Sequence, residues 1–249
     1  MPVEYLPLLR VQREIYALPR GMERFREYLR TMVNASTGDL ELPLVGMNPM
    51  GKEHVPALLD RLLELDADAI AAEAVARAPE AATQGEYRAT LVLADDLKGG
   101  WTNRYTTEFG NRFQPRAMLT RGWIVGTLWT SEEPSPDLVR QTILAAVYRT
   151  VWIERHGYPV TLRDRMAQEG FALRHAGAKV AMDDEELDYT REVIRPLLDT
   201  EDMPTTVAAL FGDAAADSMG FPRQGLSPWA GLQLALECGG VSRRFESGG

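Results

Sequence analysis

YRATLVLADD (Tyr87–Asp96), RYTTEF (Arg104–Phe109) and MLTRGWIVGTLWT (Met118–Thr130) are the stretches on which the fold class turns. In the first, Tyr87, Ala89, Leu91 and Leu93 alternate with Arg88, Thr90, Val92 and Ala94, the period of a strand with one well-buried face. The second is rich in threonine and aromatics and the third in Trp, Ile, Val and Thr, so β propensity reads both as strands. Gly99-Gly100 and Gly110-Asn111 supply turn residues between them. The three predict a small antiparallel sheet over about residues 87–130.

On either side of this centre the period is helical. Met22, Phe25, Leu29, Met32 and Val33 recur at helical spacing, with Arg20, Glu23, Arg24, Arg26, Glu27 and Arg30 on the other faces. Leu6, Leu9, Val11 and Ile15 mark a shorter helix that Pro19 ends near Leu18. Leu58, Leu62, Leu65, Ala69 and Ala72 predict one long helix from about Pro56 to Ala78, stopped by Pro79. Beyond Ser131 the boundaries are written in capping chemistry. Ser135-Pro136 opens a helix to His156, Thr161 with Asp164 opens one to Ala176, and Asp183 opens one to Asp199 that breaks near Pro196. Pro204 starts another through Ala209, and Ser227-Pro228 starts the last, which Gly239-Gly240 closes. The sequence thus predicts an α+β fold, predominantly helical, with a small antiparallel sheet flanked by N-terminal and C-terminal helices. One globular domain over residues 1–249 is expected, with 241–249 a frayed tail.

Charge limits the partners. The chain carries 27 basic and 36 acidic residues, a formal net charge of −9, which disfavours a phosphate backbone, so no nucleic acid is expected as partner. Cys238 is the only cysteine, which rules out an intrachain disulfide and suggests a reducing compartment. MPVEYLPLLR has no basic-then-apolar order of a secretory signal, and no segment approaches the roughly 20 apolar residues of a membrane span. A cytoplasmic protein without a membrane partner is the expectation.

Several catalytic patterns fail on inspection. Gly46-Met47-Asn48-Pro49-Met50-Gly51-Lys52-Glu53 has P-loop spacing, but Glu53 replaces the hydroxyl that ligates Mg²⁺, and Pro56 at a first helical position leaves Lys52 before the helix. A degenerate nucleotide-binding loop is the minor reading. His54, His156 and His175 lack metal-ligand spacing, and the last two fall where helix C-termini favour an imidazolium, so no metal site is expected. The acidic run from Asp183 to Asp188 lacks the glycine of a calcium loop, and no nucleophile elbow occurs. No motif names a cofactor.

What stands out chemically is the stretch from Asp95 to Arg121. From Leu97 to Arg121, Lys98, Arg104, Arg112, Arg116 and Arg121 face Glu108 alone, a local charge of +4 within an acidic chain. Arg104 and Arg112 are forks for an anion, Trp101 and Tyr105 flat surfaces, Asn103 and Asn111 paired donors and acceptors. Asp95, Asp96 and Glu108 are the carboxylates suited to proton transfer. The leading expectation is a protein that binds a small anionic or aromatic ligand there, with turnover left open. The competing expectation is a non-catalytic assembly protein, a homo-oligomer included, that uses its amphipathic helices and exposed Trp123, Trp129, Trp152 and Trp229.

Overall fold

The computed structural model describes residues 3–78, 83–97 and 103–239. Pro79, the Gly99-Gly100 turn, Trp101 and the tail from 240 onward lie outside the described residues. The chain divides into two compact units, one of residues 1–111 and 115–147, the other of residues 112–114 and 148–249.

The first unit is built on a three-stranded sheet of β1 (Glu4–Tyr5), β2 (Arg88–Ala94) and β3 (Trp123–Trp129), in the order β1-β2-β3. Both pairings are parallel: Glu4 and Tyr5 register with Arg88 and Ala89, and Arg88 through Ala94 register with Trp123 through Trp129. This overturns the antiparallel sheet expected from the sequence. The cause lies in the connection, because parallel neighbours need a crossover longer than a hairpin turn. Here the crossover is helical: α5 (Arg104–Phe113) and α6 (Arg116–Leu119) join β2 to β3, after α1 (Leu9–Ala17), α2 (Met22–Met32), α3 (His54–Glu64) and α4 (Ala67–Ala76) have joined β1 to β2.

RYTTEF therefore opens a helix, not a strand, and Gly110-Asn111 lies inside it. Asn103 caps α5, its Oδ1 accepting from the Tyr105 N–H at 2.9 Å and the Thr106 N–H at 3.1 Å. Tyr105, Phe109 and Phe113, four apart, then fall on one side of the helix, and Phe109 and Phe113 are buried. The strand reading of β2 survives with a different burial pattern: Ala89 through Ala94 are buried without alternation, as befits a parallel strand covered on both faces. β1 is so short that β2 has no strand partner on that side past Ala89. Gln12 of α1 takes over: its Oε1 accepts from the Leu93 N–H at 2.8 Å, and its Nε2 donates to the Leu93 carbonyl at 3.1 Å.

Other boundaries also shift. The expected helix from Pro56 to Ala78 is two helices, α3 and α4, separated at Asp66, whose φ of 58° is left-handed. Pro56 sits third in α3, so its ring replaces an N–H that a first-turn residue has no intrahelical partner for. On α2 the buried side chains are Arg24 and Tyr28, whereas Met22 of the expected apolar stripe is 61% exposed. The first unit also contains the opening of α7 (Pro136–His156), where Ser135 Oγ accepts from the Leu138 N–H. Gly126 in the middle of β3 lets α7 come close: a Cβ there would lie 3.3 Å from Thr142 and 3.4 Å from the Ile143 Cα.

The second unit is helical. It comprises the rest of α7 from Tyr148, then α8 (Leu162–His175), α9 (Asp184–Ile194), α10 (Met203–Phe211), α11 (Asp213–Met219) and α12 (Ala230–Cys238). The Thr161–Asp164 capping box and the Asp183 cap form as the sequence indicates, and the chain passes into a short 3₁₀ turn at Arg195–Leu197 beside Pro196. The last helix begins two residues later than Ser227-Pro228 suggests, with Trp229 in a left-handed conformation at its N-cap. Its core gathers Val207, Leu210, Phe211, Leu234 and Met166. Among the described residues no helix is long and apolar enough to cross a membrane.

Candidate functional site

Parallel strands deliver their carboxyl ends to a common edge. At that edge the chain leaves β2 into Asp95 and Asp96, and leaves β3 into Thr130, Ser131 and Glu132. The ladder continues one step past the strands, with the Thr130 N–H on the Ala94 carbonyl at 3.1 Å, which places the two polar ends side by side.

Asp95 is 3% exposed and its carboxylate is fully engaged. Oδ1 accepts from the Leu97 N–H at 3.2 Å and lies 3.0 Å from the Thr130 hydroxyl, while Oδ2 accepts from Asn48 Nδ2 at 3.1 Å. Its titratable neighbour is His54, whose Nε2 lies 2.8 Å from Oδ1 and whose side chain is 27% exposed. A buried carboxylate on one ring nitrogen fixes the imidazole orientation and, in the neutral ring, the Nε2–H tautomer. The second ring nitrogen, Nδ1, is then the basic one.

Asn48 comes from the segment with P-loop spacing, Gly46 to Glu53, and His54 follows it directly. Three of the segment's N–H groups are spent locally: the Gly51 N–H binds the Asn48 carbonyl, the Met50 N–H binds Asn48 Oδ1, and the Met47 N–H binds the Leu44 carbonyl. What the segment and the residue after it offer to the sheet edge is a side-chain amide and an imidazole, the latter from the first residue of α3.

Asp96 is the anchor of a second cluster. Its Oδ1 accepts from the Ser131 N–H at 2.9 Å, and its Oδ2 accepts from the Ser131 hydroxyl at 2.6 Å and from Arg104 at 3.1 Å. Arg104 also donates to Glu132, and its guanidinium lies 5.2 Å from the Trp129 ring centroid. Burial raises the Glu132 carboxyl above the ordinary glutamate range, with the charge of Arg104 opposing the rise and Glu108 adding to it. Thr130 ties the clusters together. Its oxygen accepts from the Asp96 N–H, and its one proton is within 3.0 Å reach of both Asp95 Oδ1 and Asp96 Oδ1. Only one carboxylate can receive that proton at a time.

The structure thus brings together Asp95, Asp96 and Arg104 of the residues singled out in the sequence, and distributes the others. Glu108, buried on α5, accepts from the Trp129 indole at 2.6 Å. Asn103 is the α5 cap, Tyr105 is half-buried on the same helix, and Asn111 donates to the Thr127 hydroxyl at 3.0 Å. Trp101 lies outside the described residues. Arg112 belongs to the second unit, where it meets Glu169 at 2.5 Å beside Arg149 at 2.6 Å. Trp123 and Trp129, expected as exposed interface aromatics, are core residues at 1% exposure. Sequence reasoning missed His54 in this role, together with Asn48, Thr130 and Glu132. No local spacing links them, since His54 and Asp95 are 41 residues apart and Thr130 and Asp95 are 35 apart.

Among the described residues no three His, Cys, Asp or Glu side chains gather as a metal site would require. Two open grooves flank α1, about 510 Å³ beside Val11, Ile15 and Arg26 and about 310 Å³ beside Pro7, Arg10 and Asp68, and neither is lined by His54 or Asp95. The chain matches no family model, no curated protein and no solved structure.

Proposed function

We propose that the carboxyl edge of the sheet binds a small polar molecule and transfers a proton on it, with His54 as the base and Asp95 as the group that orients it. The observation that carries this reading is the buried Asp95 carboxylate, held by Asn48, Thr130 and the Leu97 N–H and directed at a partly exposed imidazole. A carboxylate fixed from several directions cannot swing away, so it sets the ring's direction and balances the charge the ring takes on with a proton.

Charge supports a neutral or cationic ligand more than an anionic one. Arg104 already holds Asp96 and Glu132, and Arg112 holds Glu169, so each guanidinium has a carboxylate partner within the protein. At the two strand ends three carboxylates, Asp95, Asp96 and Glu132, stand beside the one guanidinium of Arg104, which is paired with the last two. The single Cys238 supports a cytoplasmic setting.

The experiment is a thermal-shift screen of small polar metabolites against the wild type, His54→Gln and Asp95→Asn. A ligand present at 100 times its Kd stabilises the folded state by about 2.7 kcal/mol. The wild type is expected to show such a shift for a neutral or amine-bearing compound, and turnover of that compound is expected to fall at least about tenfold in both variants. Equal turnover by His54→Gln refutes the role of the imidazole.

A further inference from the structure

Arg24 is a buried guanidinium on α2, whose other buried side chain is Tyr28, and Tyr16 is a buried phenol on α1; neither Arg24 nor Tyr16 belongs to the cluster at the sheet edge. Arg24 Nε donates to the Leu18 carbonyl at 2.8 Å, which closes the α1–α2 turn. The other end of the guanidinium reaches the Gly51 carbonyl at 3.4 Å and the Tyr16 carbonyl at 3.5 Å, and the cation lies 5.3 Å from the Tyr16 ring centroid. The Tyr16 hydroxyl donates to the Asn48 carbonyl. Two carbonyls of one loop, at Asn48 and Gly51, are therefore gripped from α1 and α2.

That loop is the one that ends in His54. Its residues Met47, Asn48 and Gly51 are buried, and a Cβ on Gly51 would come within 3.1 Å of the Tyr16 hydroxyl and 2.8 Å of Val55. A loop this closely packed has little freedom to shift without moving what it carries. Asn48 presents its carbonyl to Tyr16 and its side-chain amide to Asp95, so a displacement at one end is felt at the other. Burial, with the nearby charge of Asp95 adding to it, pushes the Tyr16 hydroxyl well above the usual phenol range, so it stays a donor at neutral pH.

We infer that Tyr16 and Arg24 are positioning residues that set the approach of His54 to Asp95 by holding the 47–53 loop; this rests on the proton-transfer reading above. Removing the Tyr16 hydroxyl takes from the Asn48 carbonyl the donor that ties it to α1, leaving only the Gly51 N–H of the loop itself, and so loosens the loop while the phenyl ring still fills its place in the core. Arg24→Lys keeps the charge but loses the fork that spans Leu18 and Gly51.

The test reads the imidazole directly, by ¹⁵N ring spectra of the full chain, with the His54 signals assigned by their loss in His54→Gln. Asp95→Asn serves as the reference displacement. Tyr16→Phe and Arg24→Gln are expected to move the His54 ring nitrogens toward the Asp95→Asn positions while those of His156 and His175 stay in place. Arg24→Lys is expected to fall between Arg24→Gln and the wild type. If Asp95→Asn moves His54 but Tyr16→Phe does not, the positioning role is overturned and the proton-transfer reading stands. If Asp95→Asn itself leaves the His54 ring unmoved, the pair is not coupled and both readings fall. Tyr16→Phe, which removes one oxygen, keeps the test decisive should Arg24→Gln fail to fold.

Discussion

The Gln12 side chain acts as one residue of a missing strand for Leu93, exchanging an N–H to Oε1 bond of 2.8 Å and an Nε2 to carbonyl bond of 3.1 Å with its backbone. Both residues are fully enclosed, so water cannot replace either bond. Gln12→Leu has a similar volume but leaves a buried N–H and a buried carbonyl unpaired, each at about 1–3 kcal/mol. We expect a loss of about 2–6 kcal/mol in urea unfolding with an unchanged m-value. A loss under about 1 kcal/mol shows that β2 finds other partners there.

Glu169 in the second unit is fully buried between Arg149, which grips it at 2.6 and 2.9 Å, and Arg112 at 2.5 Å. Burial alone raises a carboxyl, but the charges of Arg149 and Arg112 outweigh it and hold Glu169 at about 2, against an ordinary 4.5. Because the folded value is the lower one, its stabilising contribution is complete above pH 4.5 and is lost as pH falls toward about 2. The gap corresponds to about 3 kcal/mol. Glu169→Gln should flatten the stability curve across that acid window, and at neutral pH it should cost about 3–5 kcal/mol by leaving two guanidiniums without their carboxylate. Denaturant unfolding from pH 2 to pH 7 measures both, and an unchanged acid slope in the variant refutes the assignment.

Asn103 shows how a residue suited to ligand binding can be spent on backbone. Its Oδ1 accepts from the Tyr105 and Thr106 N–H groups, two donors that a helix start leaves unpaired. Asn103→Ala should destabilise the chain by about 1 kcal/mol, and Asn103→Asp should restore it to within a few tenths of a kcal/mol, in thermal or urea unfolding. A ligand identified by the screen should bind Asn103→Asp as it binds the wild type. Weakened binding with unchanged stability returns Asn103 to the site.

Those cases mark where the sequence was legible. Caps are chemistry between residues three apart, so Thr161 with Asp164, Asp183 with Glu186 and Ser135 with Leu138 are readable from local order alone. Strand direction depends on a partner far away in the chain, and RYTTEF satisfied β propensity until Phe109 and Phe113 are read together over the longer window. The two-residue β1 carries too little pattern to be seen, yet it and Gln12 decide what flanks β2. At the site, Asp95 and Asp96 were readable as polar residues closing an apolar strand. Their partners His54 and Thr130 were not, because they arrive from a helix start and a second strand end, and Arg104, singled out as a fork for a ligand, pairs with Asp96 from a crossover helix. Charge misled for the same reason: Arg104 and Arg112 form an open basic patch in sequence, and each folds onto a carboxylate.

One substitution made at two glycines separates local propensity from packing. Gly110 lies within α5 and a Cβ there meets nothing within 4 Å, so Gly110→Ala gains what the backbone no longer loses on folding, about 0.5–1 kcal/mol. Gly170 lies within α8, where the same propensity gain applies, but a Cβ would sit 2.3 Å from the Ala235 carbonyl oxygen of α12 and 3.2 Å from the Gly239 Cα. No rotamer relieves a clash between a Cβ and backbone, so the two helices must separate and their buried faces lose contact. Overpacking of this kind costs about 1–3 kcal/mol or more, which exceeds the propensity gain. We expect Gly110→Ala to raise the urea midpoint and Gly170→Ala to lower it. Equal and favourable shifts show that α8 and α12 do not touch at Gly170, whereas opposite signs fix that approach without any further structure.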